Sequence, residues 1–160
     1  MSKSYIIDSV RSPIVMKNSE MLGLRPDDLS ASIIKTLLKR NQSINKEDIE
    51  DLVTGCAFPE GPQGMLMARS ISILADLPIS TGGKVVNRFC GSSMDSVHQV
   101  SQAIIAGDIK SGIASGVEDM FTIPMGGFVP DFNEQLNEKD FYIGMGESAE
   151  NLARELDPKD

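Results

Sequence analysis

Between Asp51 and Val117 short apolar or β-branched runs alternate with helix-forming stretches, and this alternation most limits what the chain can fold into. Asp51 to Phe58 (DLVTGCAF), Lys84 to Phe89 (KVVNRF) and Ile113 to Val117 read as strands. Between them lie Met65 to Leu74, which has good helix formers and no breaker until Leu77-Pro78, and Ser92 to Ala106. The second of these carries Met94, Val97, Ser101, Ile104 and Ile105 on one side, and Gly107 is placed to cap it. Strands separated by helical patterns of about 10–15 residues imply βαβ crossovers, so the expected class is α/β, a mainly parallel sheet with helices on both faces. Upstream, Ser4 to Val10 (SYIIDSV) reads as a further strand ended near Pro13. Pro26-Asp27-Asp28 opens a helix whose apolar face is Leu29, Ile33 and Leu37, with Ile34 and Leu38 beside them. Lys39 and Arg40 close it, where the helix dipole favours cations. Ile44 to Asp48 reads as a short capped turn, and PEGPQG after the Asp51 strand reads as a loop.

Beyond Asp119 the periodicity dissolves into MFTIPMGGFVPDFNEQ. We therefore expect an α/β body over residues 1–118 and an incomplete loop subdomain over 119–160, with one helical run at Met145 to Leu156. The 160 residues, 41% hydrophobic, suffice for one ordinary core. A formal charge of -8 from 23 acidic and 15 basic residues weighs against general nucleic-acid binding. Neither a membrane span nor a secretory leader is visible in the sequence, so a soluble, cytoplasmic protein is expected. Two distant cysteines, Cys56 and Cys90, suggest neither a disulfide framework nor a metal cluster.

Cys90 is the residue most open to a chemical reading. In VVNRFCGSSMDSV the chain leaves an extended run, passes Cys90 and Gly91, and enters a helix through Ser92 and Ser93, both good N-cap residues. A cysteine at such an entrance meets unpaired N–H groups and the positive end of the dipole, which favour the thiolate over the thiol. Gly91 permits the tight turn that would expose the sulfur, as in serine nucleophile elbows. From spacing alone, a small buried hydrophobe and a nucleophile both remain open.

The segment VNRFCGSSMDSVHQ is similar to the active-site segment of thiolases, in which an Asn, two residues, Cys, Gly and Ser surround the acyl-accepting cysteine. Four further stretches match in order: VRSP at Val10, DLVTGCAFPEGPQG at Asp51, AGDIKSGIASGVEDM at Ala106 and MGESAEN at Met145. The resemblance spans nearly the whole chain and implies the first half of a thiolase fold, with part of the loop domain inserted in that half. It implies an acyl-CoA acyltransferase that cleaves 3-ketoacyl-CoA with coenzyme A through an acyl group on Cys90, as in fatty-acid β-oxidation. Coenzyme A would be a co-substrate, with no tightly bound cofactor and no metal. The partners implied are acyl-CoA, CoA and further copies of the chain in a dimer or tetramer. Met145 and Gly146 match positions that contact substrate in relatives. The family's activating histidine, second catalytic cysteine and thioester-oxygen contacts belong to its second half and have no counterpart here. This leaves a second reading, a catalytically silent fragment or assembly partner. An acetoacetyl-CoA thiolase or other condensing enzyme is the alternative chemistry. Val15 departs from the family pattern, standing where many thiolases have glycine after the Arg-Ser-Pro motif.

The remaining candidates have plainer readings. His98 is the sole histidine, but eight helical residues put it about 12 Å of rise from Cys90. Cys56, at the end of an apolar run, reads as packing. Asn87 reads as orienting the elbow or a subunit contact, and Arg88 as a surface cation. Gly55, Gly64, Gly82, Gly83, Gly112 and Gly116 read as turns or close packing, since none forms a dinucleotide fingerprint.

Overall fold

A computed structural model describes residues 3–157. Met1, Ser2 and 158–160, the outer ends of the two expected domains, lie outside the described residues. The chain divides into two compact units, Met1–Phe128 and Val129–Asp160.

The first unit is built on three parallel strands, β1 (Asp51–Gly55), β2 (Gly82–Val86) and β3 (Gly112–Gly116), in the order β2-β1-β3. The register pairs Leu52 with Gly83 and with Ile113. Helix α1 is Pro26–Arg40, α2 is Met67–Leu74 and α3 is Ser92–Ala106. The class is α/β with helices on both faces, as the alternation implies. Side chains of a strand alternate between faces. Leu52 and Ile113 accordingly join Ala31 and Ile34 of α1 and Met67, Ala68 and Ile71 of α2 in one apolar cluster. The other face takes α3.

On that second face the sheet has no room for side chains at two points. A Cβ on Gly55 would collide with the backbone of Ser92 and Ser93, and one on Gly116 with the Ser93 side chain. The first turn of α3 therefore rests directly on the backbone at the ends of β1 and β3. The Ser96 hydroxyl adds a bond of 2.9 Å to the carbonyl of Ser115. At its other end α3 stops at Gly107, whose φ of 85° suits glycine, and whose N–H bonds Ala103 and Ile104 carbonyls.

Strands β1 and β2 end earlier than expected, at Gly55 and Val86 rather than Phe58 and Phe89, since the residues beyond them turn into loops. Other segments differ more. Ser4 to Val10 joins no ladder. It is pinned instead by side chains: the Ser4 and Ser101 hydroxyls lie 2.6 Å apart, and Asp8 accepts from Arg40 and Asn41. A cleft of about 790 Å³ is lined by this segment and by 110–116, which include β3. Strand propensity reports fit to a pleated, half-buried surface, so without a neighbouring strand it makes no strand, and Tyr5, Ile6 and Ile7 stay exposed. Helix α2 begins at Met67, because Met65 and Leu66 take left-handed φ values of 54° and 57° that no helical turn accommodates.

Residues 119–128 sit with the first unit: Ile123 is fully buried, and the Phe128 N–H donates to Glu60 at 2.8 Å. In the second unit Asn133 caps the short helix α4 (Glu134–Asn137), its side chain accepting from Leu136 N. Tyr142 packs against Phe132 and Phe141, with ring centroids 4.9 and 5.2 Å apart. Helix α5 is Met145–Leu156.

The close approach at Gly55 predicts that Gly55→Ala destabilises the first unit by about 1–3 kcal/mol, the usual range for overpacking. Urea unfolding checks this; an unchanged midpoint would contradict the packing.

Candidate active site

In open parallel sheets, ligands bind outside the carboxyl ends of the strands, where neighbouring connections part to opposite faces. Here the connection after β1 runs to α2 on one face, and that after β2 runs to α3 on the other. Three segments leave the sheet at this edge: Cys56 to Gln63 after β1, Asn87 to Gly91 after β2 and Val117 to Ile123 after β3.

Cys90 lies in the segment after β2, in a 3-10 turn at Phe89–Gly91, and is exposed. The turn is strained, since Phe89 has a φ of +44° without being glycine. Its neighbours hold it there. The Ser92 hydroxyl accepts from Arg88 N at 2.9 Å and donates to Phe89 O at 2.6 Å. Asn87 Oδ1 accepts from Phe89 N at 2.9 Å, and the Phe89 ring packs on Phe58 with centroids 5.9 Å apart. Ser92 thus secures the turn rather than capping α3 with its side chain, and Gly91 occupies the N-cap position without a side-chain bond.

Asn87 also reaches across the edge, its Nδ2 donating to Ala57 O at 2.8 Å. The first loop is fixed in turn by Glu118. This carboxylate accepts from Ala57 N at 2.6 Å, Phe58 N at 3.4 Å and Gln63 Nε2 at 2.9 Å. Gln63, fully buried, donates to Phe58 O and accepts from Asp119 N. Glu118, Gln63 and Phe58 were not singled out by sequence; only their place in loops after strands hinted at a site.

The other candidates stand apart. Cys56 is buried, and its Sγ lies 3.7 Å from Glu118 Oε1. Burial, with the Glu118 charge second, pushes its thiol from 9.0 up to about 12. His98 is exposed on α3, six residues past its start and about 9 Å of rise along it. Among the described residues, no hydrogen bond reaches the Cys90 sulfur from His98 or any other group. Arg88 forms a long ion pair with Asp95 at 3.7 Å. Met145 and Gly146 open α5 in the second unit, both exposed, with open space around Gly146. Among the described residues no three potential ligands gather to hold a metal ion, and no helix is long and apolar enough to cross a membrane.

The family model described as "Thiolase, N-terminal domain" matches residues 4–157. The chain belongs to the thiolase family. It is 38% identical over 157 residues to a 3-ketoacyl-CoA thiolase of Bacillus subtilis (strain 168), covering 96% of this chain and 40% of that one. A 3-ketoacyl-CoA thiolase of Marinomonas sp. (strain MWYL1) is 44% identical over 121 residues, covering 75% and 31%. Among solved structures, the Acat5 thiolase of Ascaris suum in complex with coenzyme A superposes with a TM-score of 0.61 at 30% identity, covering 70% of this chain and 31% of that one. The chain thus spans two fifths or less of the length of these relatives.

The two thiols should separate chemically, because only thiolates alkylate readily. Iodoacetamide at neutral pH should modify Cys90 and leave Cys56 intact until the protein is unfolded, as peptide mass mapping will show; equal rates would contradict the burial of Cys56. The raised Cys56 value also carries a linkage. The unfolded thiol ionises near 9.0 and the folded one near 12, so above pH 9 the unfolded state binds fewer protons and stability falls. The stability of the wild type relative to Cys56→Ala should therefore decline between those pH values in chemical denaturation, and a pH-independent difference would contradict it.

Proposed function

We propose that this chain supplies the acyl-accepting thiol of a 3-ketoacyl-CoA thiolase working in fatty-acid β-oxidation, with Cys90 as the nucleophile. The observation that carries this reading is an exposed cysteine in a strained turn between a parallel strand and a helix, within a chain of this family. In the proposed step the Cys90 sulfur bonds to the keto carbon of 3-ketoacyl-CoA and the bond from that carbon to its α-carbon breaks. The electron pair leaves with the α-carbon, which takes a proton to give acetyl-CoA. The shortened acyl group stays on Cys90 as a thioester. The thiol of coenzyme A then attacks that thioester, its proton goes to the departing Cys90 sulfur, and the acyl-CoA product leaves. Coenzyme A is thus a co-substrate. Met145 and Gly146 are the proposed acyl contacts of the second unit. A cytoplasmic, reducing setting suits an exposed thiol, and assembly into a dimer or tetramer belongs to the same reading.

A second reading rests on a separate observation: among the described residues no histidine or second cysteine contacts Cys90. In that reading the acid and base come from outside these residues, and the 160-residue chain alone accepts an acyl group at most without turning over.

Rapid mixing of the purified chain with 3-ketoacyl-CoA, with and without coenzyme A, tests both. A burst of acetyl-CoA equal to the chain concentration, absent in Cys90→Ala, is the expected result. Repeated turnover with coenzyme A would remove the second reading. A burst that survives in Cys90→Ala would remove the first.

A further inference from the structure

Glu118 stands just past the carboxyl end of β3. Among the described residues no lysine or arginine pairs with it. Its carboxylate instead accepts from two consecutive backbone N–H groups, Ala57 and Phe58, and from the Gln63 amide. Short charge-assisted bonds are about twice as strong as neutral ones, which describes those from Ala57 N at 2.6 Å and Gln63 Nε2 at 2.9 Å, while that from Phe58 N is longer at 3.4 Å. They fix the peptide between Ala57 and Phe58, whose N–H points to Glu118 and whose carbonyl accepts from Asn87 Nδ2. A peptide polarised at its N–H by a carboxylate becomes a better acceptor at its oxygen. That bond sets the Asn87 amide with its donor toward Ala57 and its acceptor toward Phe89 N.

The turn at Phe89 needs such help. A non-glycine residue at positive φ costs of order 1 kcal/mol or more and persists only where its surroundings over-determine it. Ser92 secures the turn from α3, while Asn87 secures it from the sheet edge. We propose that Glu118 and Asn87 are positioning residues for Cys90, acting through the Ala57–Phe58 peptide to hold the left-handed turn at Phe89. The series crosses all three strands: Glu118 follows β3, Ala57 follows β1 and Asn87 follows β2. A displacement of either outer strand end would therefore be felt at the sulfur. This inference rests on the reading of Cys90 as the nucleophile for its purpose, although not for its geometry.

The test measures two quantities in Asn87→Ala, Glu118→Ala and Glu118→Gln: hydrogen exchange of the Phe89 amide by NMR, and the rate of Cys90 alkylation by iodoacetamide at neutral pH. Leu52 amide protection reports whether the core stays folded. In both alanine variants Phe89 should lose its protection and the Cys90 alkylation rate should change several-fold, because the sulfur is no longer held in one position at the start of α3. Glu118→Gln keeps one acceptor oxygen but turns an amide N–H against a donor, since both carboxylate oxygens accept, so it should recover only part of both. A purely structural Glu118 would alter core protection without singling out Phe89. Unchanged Phe89 exchange and Cys90 alkylation in all three folded variants would overturn the proposal. A wild-type chain that shows these responses but no acyl group on Cys90 would sink the nucleophile reading and leave the positioning intact.

Discussion

The contact on which the site depends is the seating of α3 on bare backbone. Gly55 and Gly116 end two neighbouring strands, and a methyl group at either would meet Ser92 or Ser93. Protein interiors are packed too densely to absorb such an intrusion without a shift. Because the helix starts there and nowhere higher, the chain between Val86 and Ser92 has few residues in which to leave β2 and turn into the helix. In that stretch Phe89 takes its positive φ and Cys90 lies exposed.

The fold gives two chemically identical thiols different surroundings. Cys56 follows β1 directly, is buried among apolar residues and faces the Glu118 carboxylate, and both influences disfavour its ionised form. Cys90, on the neighbouring segment, has solvent on one side and the start of α3 on the other. One carboxylate serves both arrangements, since the same Glu118 that opposes a Cys56 thiolate also fixes the loop against which Asn87 orders the turn.

Local signals made much of this legible. Helix formers and Gly107 delimited α3 as Ser92 to Ala106, and the acidic start and basic end of α1 matched its dipole. The face of α3 expected to be buried was not: Met94, Val97 and Ile105 are exposed, while Ser92, Ser96 and Val100 are buried, because small residues let the helix approach the sheet backbone. Cys90 at the helix entrance was readable because strand, glycine and serines are adjacent in sequence. What was not readable depends on partners far along the chain. Glu118 bonds residues 55 to 62 positions away, and no window of sequence contains both ends. Ser4 to Val10 has the composition of a strand, yet pairing is a property of two segments, and this one faces a cleft. The left-handed Met65 and Leu66 depart from propensity as well, since both are good helix formers and neither takes helical backbone.

We propose that Cys90, so placed, is the acyl acceptor. The most direct measurement is peptide mass mapping after the chain is incubated with a short 3-ketoacyl-CoA and quenched in acid, which preserves thioesters. An acyl mass on the peptide containing Cys90, removable by added coenzyme A, is the predicted result. An acyl mass on Cys56, or none on either cysteine, would contradict it.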